Sequence, residues 1–268
     1  MPHANSNVMP VAFFGHGSPM NALEKNRYTL AWEEFGQVAP RPRAILCVSA
    51  HWCTRGTAVT AMEEPRTIHD FGGFPQALYV IHYPARGDPA LAARVRELLA
   101  PTEVVEDTSD WGLDHGTWSV LRHIYPKADV PVVQLSLDAT QPLAYHYELA
   151  TRLAPLRNAG VLIIGSGNVV HNLRTALHVD GATAFDWAAR FNAQVRRRVL
   201  SHDHAGLADM DSLGPDAPLC IPTPEHYLPF LYAIALQRSD DRIAFPTDGI
   251  ELGSISMMSV IIGSNLSP

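Results

Sequence analysis

The sequence predicts a single α/β domain over residues 1–268. It has a mostly parallel central sheet flanked by helices and a metal site at the carboxyl ends of the strands. Two observations predict the fold. Short, nearly continuous apolar runs at 44–50, 131–137 and 160–164 have the pattern of strands buried on both faces. These runs alternate with longer stretches of helical spacing, the arrangement of a parallel sheet with crossover helices. A third observation predicts the site. The runs at 8–14, 44–50 and 160–164 each deliver a histidine just beyond the strand: His16, His51 and His171. Open α/β sheets bind ligands outside the carboxyl ends of their strands. If the three strands are parallel neighbours, the imidazoles converge on one cleft.

The elements follow in order. Residues 8–14 are apolar apart from the break at Pro10 and end in Gly15-His16-Gly17-Ser18-Pro19, where glycines allow a sharp turn. Residues 28–38 carry Leu30, Trp32, Phe35 and Val38 at roughly helical spacing, and Pro40-Arg41-Pro42 stops the helix. The strand 44–52 follows, then a short strand at 58–62. Residues 63–84 interleave Pro65, Gly72, Gly73, Pro75 and Pro84 with Phe71, Phe74, Tyr79 and Tyr83, which reads as an irregular aromatic loop. Residues 88–99 form a helix with Asp88 as N-cap and Pro89 in its first turn. A strand at 103–106 precedes a second aromatic loop, 111–118, and a helical stretch, 119–124. The buried strand 131–137, an amphipathic helix 143–156 and the strand 160–164 come next. A long helix spans 185–200, with arginines on its outer face. Residues 206–224 hold Pro215, Pro218, Pro222 and Pro224 and read as a loop; a helix then runs from Glu225 to about Gln237. A final strand covers 257–262.

Composition narrows the function. At 47% hydrophobic, 268 residues suffice for a sizeable core. The 20 Lys and Arg against 27 Asp and Glu give a net charge of -7. With no basic run, neither nucleic acid nor an anionic membrane is an expected partner. Cys47, Cys53 and Cys220 form no CxxC pair, which predicts no disulfide framework and a reducing, cytoplasmic setting. Residues 1–7 carry neither an apolar core nor a basic region, and no stretch approaches the ~20 apolar residues of a membrane span.

The candidate ligands are His16, His51, His171 and His226, with His115 on the second aromatic loop. Neutral imidazoles suit zinc, iron, copper or nickel. The HExxH spacing of zinc proteases is absent, as are Asp-x-His and His-x-His pairs at the strand ends, so one metal with scattered ligands is the better reading. Cys53 lies two residues past His51, but no second cysteine supports a thiolate site. Gly15-His16-Gly17-Ser18 lacks the GxSxG elbow, and Gly165-Ser166-Gly167 has neither GxGxxG nor a Walker lysine. His3, His178, His202 and His204 read as surface residues, His123 and His146 as parts of helices, and His69 and His82 as parts of the first aromatic loop.

Six separated motifs carry a family resemblance. They are Gly15-His16-Gly17-Ser18-Pro19-Met20, Ser49-Ala50-His51-Trp52, His69-Asp70-Phe71-Gly72-Gly73-Phe74-Pro75, and Gly112-Leu113-Asp114-His115-Gly116-Thr117-Trp118. Gly165-Ser166-Gly167-Asn168 with His171-Asn172-Leu173, and Pro224-Glu225-His226-Tyr227-Leu228-Pro229, complete the set. In this order, from about Val11 to Met258, they resemble the DOPA extradiol dioxygenase group of the class III (LigB-type) ring-cleaving dioxygenases. The resemblance implies a mononuclear non-haem Fe(II) site, sometimes found with zinc instead. His16, His51 and His226 match the metal ligands. His171 matches a histidine beside the metal, either a fourth ligand or an acid/base, and His115 matches the active-site acid/base. In protocatechuate-type members the third ligand is a glutamate; Glu225 and His226 are adjacent here, and the DOPA group's pattern favours His226. The implied reaction opens the ring of a small aromatic diol, DOPA-like or another catechol, with O2. Phe71, Phe74, Trp111 and Trp118 are expected to wall the aromatic pocket. Two other readings use the same residues: a mononuclear zinc hydrolase on a related α/β scaffold, and a non-catalytic small-molecule binding protein.

Overall fold

The computed structural model describes residues 8–179 and 181–264; His3, expected at the surface, lies outside them. The chain opens with β1 (Val11–Gly15), which starts just after Pro10, the residue that lacks a ladder donor. Helix α1 (Arg27–Val38) is set by a capping box. The Asn26 side chain accepts from the Tyr28 and Thr29 amides, and the Thr29 hydroxyl accepts from the Asn26 amide. Then come β2 (Ala44–Thr54), β3 (Thr57–Thr60), the short α2 (Gln76–Tyr79) inside the first aromatic loop, and α3 (Pro89–Leu99). Asp88 caps α3 by accepting from the Leu91 amide at 2.9 Å. After β4 (Val104–Asp107), α4 (His115–Ile124) begins within the second aromatic loop, because Asp114 caps it four residues earlier than expected.

Strand β5 (Val132–Asp138) is followed by α5 (Leu143–Thr151) and α6 (Pro155–Asn158). The single helix expected over 143–156 is split because Pro155 lacks the amide that would continue the ladder. After β6 (Val161–Gly167) comes the long α7 (Asp186–Leu200). The expected loop 206–224 holds α8 (His204–Leu207), a 3-10 turn and α9 (Ala217–Cys220). Helix α10 (Leu228–Ile234) starts after Glu225 and His226, which occupy the turn before it. The chain closes with β7 (Arg242–Ala244), β8 (Ile250–Glu251), β9 (Ile255–Ser256) and β10 (Val260–Gly263), short strands of which the sequence indicated only the last apolar segment.

The main sheet has the order β4-β3-β5-β2-β6-β1-β10-β7. Its centre, β5-β2-β6-β1, is parallel, while β3, β4 and β10 run the other way. Strand residues alternate between two cores. Val11, Phe13, Leu46, Val48 and Ile163 face α3, α5, α7 and α10; Ala12, Phe14, Ile45, Cys47 and Ile164 face α1 and α4. Burial on both faces explains why these strands are continuously apolar. The strands that carry His16, His51 and His171 are therefore adjacent and parallel. Gly15 pairs with Gly167 and Ser49 with Ser166, so their carboxyl ends lie at one edge. Strand β2 runs past His51 instead of ending there. Val48 pairs with Leu135 and Cys53 with Leu137, so the segment between bulges, a device that re-aims side chains.

Candidate metal centre

Each histidine is placed by a different element. The His16 amide donates to the Gly167 carbonyl at 3.1 Å, and its carbonyl accepts from the Asn21 side-chain amide at 2.9 Å. Gly17 follows with φ of 61°, a turn that favours glycine. His51 rides the β2 bulge. His115 occupies the first turn of α4, beneath a buried polar knot: the Asp114 carboxylate accepts from the Thr117 amide, the Ser49 hydroxyl at 2.7 Å and the Gln134 amide at 2.6 Å. Burial, followed by the Asp70 charge, raises the Asp114 carboxyl above its usual range. His171 follows β6, with its amide donating to the Cys220 carbonyl at 2.9 Å. His226 sits in the turn before α10, and its carbonyl accepts from the Asn168 amide at 2.8 Å. Gly167 lets β6 pass against this turn, since a Cβ there would overlap the His226 carbonyl oxygen.

These residues form one cluster. The His16 ring lies 5.1 Å from His51, 5.4 Å from His226 and 5.8 Å from His115, centroid to centroid. His51 lies 3.9 Å from His115 and 5.1 Å from His226. His171 stacks on His226 at 3.4 Å, with planes only 7° apart. Ring nitrogens of His16, His51 and His115 approach one another within 4.8 Å. The three strand-end imidazoles converge on one cleft as expected, and those of His115 and His226 join them there.

Hydrogen bonds fix which nitrogens are free. The Ser166 hydroxyl donates its only proton to the Gly116 carbonyl at 2.5 Å, so it accepts from His16 Nδ1 at 3.0 Å, and His16 Nε2 carries a lone pair. Asp70 Oδ2 accepts from His115 Nδ1 at 2.9 Å and faces His51 Nδ1 at 3.4 Å; its other oxygen accepts from the His115 amide at 2.8 Å. Glu225 Oε1 faces His226 Nδ1 at 3.4 Å. In these four rings Nδ1 bonds to or faces an oxygen, which leaves Nε2 as the atom open to something else. His16 Nε2 and His51 Nε2 stand only 3.3 Å apart. Two lone pairs that face each other in a buried place repel, and a divalent cation between them removes the repulsion. This donor set fits iron or zinc, and its lack of clustered oxygens does not suit magnesium or calcium.

Burial disfavours the protonated form of four of these imidazoles. Burial, then the neighbouring histidines, holds His16 and His226 well below the ordinary imidazole range. Burial and His115 push His51 down to about 3 against the pull of Asp70. Burial brings His171 to about 4. Burial alone would raise Asp70, but its hydrogen bonds to the His115 ring and amide keep it below the usual carboxylate range.

The cluster opens into a cleft of about 720 Å³, walled on one side by Phe71 and Phe74. Among the described residues, Trp111 and Trp118 do not line it. Trp111 stacks on Trp52 at 5.7 Å, and Trp118 is wholly buried, donating to the Ile68 carbonyl. The clustering of rings and glycines in the sequence does not distinguish rings that face the cleft from rings packed behind it. His69 faces the Ile81 carbonyl and packs on Trp118, while His82 is exposed. His178 and His202 are exposed, but His204 is half-buried between Tyr147 and Gln237. His146 is fully buried against Tyr232, and His123 is held by the Asn21 carbonyl. The Cys53 thiol is pushed up to about 11 by burial, opposite to what a thiolate ligand needs. Among the described residues, no helix is long and apolar enough to cross a membrane. Sequence reasoning missed Asp70 and Ser166 as supports of the cluster. Asp70 stands next to His69 in a quoted motif, but nothing local shows which histidine it meets.

The family described as the catalytic LigB subunit of aromatic ring-opening dioxygenase matches residues 15–259. A protein of Escherichia coli K12 named "4,5-DOPA dioxygenase extradiol" is 52% identical over 263 residues, which is 97% of this chain and 96% of that protein. A protein of the same name from Beta vulgaris is 36% identical, over 86% of this chain and 88% of its own length. A crystal structure of an uncharacterized Escherichia coli K12 protein superposes with a TM-score of 0.82 at 47% identity, covering 95% of this chain and all of that one.

Proposed function

The chain belongs to the LigB family of aromatic ring-opening dioxygenases, and from that membership we propose that it is an extradiol enzyme that opens the ring of a catechol, DOPA-like or another small one, with O2. One divalent metal, Fe(II) with zinc able to take the same donors, is held by Nε2 of His16, His51 and His226. The observation that carries this is the pair of lone-paired Nε2 atoms of His16 and His51 facing each other at 3.3 Å. Ligand nitrogens must point their edges at one centre, and His226 stands edge-on to both other rings, at 61° and 89°. The metal, when bound, acidifies the diol and holds it beside O2.

The remaining roles fall to this chain's own side chains. Ser166, Asp70 and Glu225 orient the imidazoles, as acceptors behind ligating histidines do. Phe71 and Phe74 bound the space for an aromatic ring and exclude water from it. His115, its Nδ1 bonded to Asp70 and its Nε2 without a hydrogen bond, takes a catechol proton, and the Asp70 carboxylate behind it stabilises the imidazolium that forms. His171, stacked on His226, is placed as a second proton carrier or a fourth ligand. The 4.8 Å grouping of His16, His51 and His115 supports a second ligand set with His115 in place of His226. A zinc hydrolase is not favoured, because the carboxylate nearest the ring nitrogens, Asp70, is bound to His115. The test is to load the protein with Fe(II) without oxygen, add a catechol, then admit air. A ring-opened, visibly absorbing product supports the reading. Ester or amide hydrolysis by the zinc form, with no oxygen uptake by the iron form, would overturn it.

A further inference from the structure

The proposed reaction leaves one group beside the cluster without a task, the Asp114 carboxylate. It is wholly buried, at 0% exposure. Its hydrogen-bond partners all donate. The Thr117 amide can only donate, at 3.1 Å. The Asp114 amide donates to Gln134 Oε1 at 3.0 Å, which turns the Gln134 NH2 group toward the carboxylate at 2.6 Å. The Ser49 hydroxyl donates at 2.7 Å. None of these three accepts a carboxylic proton, so the arrangement fits the anion. Among the described residues, no lysine or arginine pairs with that anion, and the neighbouring Asp70 charge makes it costlier still. A buried charge without an opposite charge is expensive.

The start of α4 lies hard against His51 because residue 116 is glycine. A Cβ there would sit 2.8 Å from His51 Cδ2 and 3.3 Å from Asp114 Oδ1. Carboxylate and imidazole edge thus flank a gap that a single methyl group would more than fill, and Cδ2 is bonded to Nε2, the nitrogen assigned to the metal. We propose that Asp114 is the fixed counter-charge of that metal, a positioning residue that lets a site of neutral histidines hold a dication. Neutral imidazoles bring no charge, so the loaded site keeps the full charge of the ion. The Asp70 and Glu225 side chains are 15% and 31% exposed, and water screens part of their charge. Asp114 has no such screening, and opposite charges attract most strongly where the dielectric is low. The compensation is mutual: the cation offsets the buried anion, and the anion offsets the hydration that the cation loses. By linkage, metal stabilises the parent more than a variant without the charge. This rests on the metal-site part of the ring-opening reading.

The experiment compares the parent, Asp114→Asn and the double variant Asp114→Asn/Gln134→Glu. Asparagine keeps the shape and is as good a helix cap as aspartate. The double variant moves the charge to the facing side chain and keeps the number of hydrogen bonds. Zinc affinity, measured by competition with a fluorescent chelator, is expected to fall about 10- to 100-fold in Asp114→Asn, the loss typical for a group behind a ligand. It should return most of the way in the double variant. The loss should be the same in low and high salt, because no water reaches the carboxylate. Without metal, Asp114→Asn should melt at or above the parent's temperature, since it no longer buries an unpaired anion, and zinc should raise its melting temperature less. Parent-like zinc affinity in Asp114→Asn would overturn the proposal. So would a loss that the double variant does not recover, which would trace the effect to the hydrogen bonds. Metal-free Asp114→Asn that melts well below the parent or fails to fold would also overturn it, and would leave the carboxylate a role in the fold alone. If the parent itself holds no metal, the metal-site reading fails and the counter-charge with it; if the parent holds metal and both variants match it, only the counter-charge fails.

Discussion

Replacing Gly167 by alanine tests whether the close passage of β6 against the turn before α10 sets the position of His226. The added Cβ would overlap the His226 carbonyl oxygen, and it would sit 3.2 Å from that carbonyl's carbon and 3.3 Å from Pro229 Cγ. None of these atoms is the free end of a flexible side chain, and the carbonyl is also tied to the Asn168 amide at 2.8 Å. Restoring ordinary contact requires the turn to retreat on the order of 1 Å. Overpacking of this kind costs about 1–3 kcal/mol, and each kcal/mol lowers the melting temperature by about 2–4 °C in a chain of this size class. The His226 ring moves with its backbone, while metal–nitrogen distances tolerate only about 0.2 Å. Zinc affinity, measured by competition with a fluorescent chelator, should fall about 10- to 100-fold, the loss typical when support behind a ligand is disturbed. Gly72→Ala is the control, since a Cβ there meets nothing within 4 Å. Parent-like zinc affinity and melting in Gly167→Ala would refute the argument that this contact positions His226.

The other expectations can be checked separately. His115→Ala should retain iron and fold while turnover falls by ~100- to 10,000-fold, the range for loss of a general acid/base; loss of metal instead would move His115 into the ligand set. His171→Ala should lose activity, and metal analysis of that variant decides between a proton carrier and a fourth ligand. Acid should destabilise the protein through its buried histidines. Burial lowers His146 from 6.5 to about 4, so its contribution is intact above pH 6.5 and is lost as pH falls from 6.5 to 4. At 1.36 kcal/mol per unit, that loss reaches about 3 kcal/mol at the lower end. Urea titrations across this window should therefore show a smaller decline in His146→Gln than in the parent, and parallel declines would contradict the assignment.

The histidine-bearing strands were legible because burial on both faces leaves them continuously apolar and because each run led to its histidine. Val11, Leu46 and Ile163 on one face, and Ala12, Ile45 and Ile164 on the other, show the physical cause of that signal. Boundaries that depend on a single hydrogen bond were less legible. The Asp114 cap starts α4 at His115, whereas hydrophobic spacing indicated a start at 119. The turn that holds His226 was read as helix because Tyr227, Leu228 and Phe230 continue the apolar pattern backward. Long-range supports were not legible at all. Ser166 meets His16 across 150 residues and Asp70 meets His115 across 45, and neither pairing leaves a local trace in the sequence.

The central claim is that His226, with His16 and His51, holds the metal. Metal content of purified His226→Ala and Glu225→Gln, each loaded without oxygen and checked for fold by circular dichroism, tests it most directly. The account predicts that folded His226→Ala keeps almost no iron or zinc while Glu225→Gln keeps close to the parent's content, because Glu225 only faces Nδ1 of His226 at 3.4 Å. Near-parental metal in His226→Ala, above all with loss in Glu225→Gln, would contradict it and make the carboxylate the ligand.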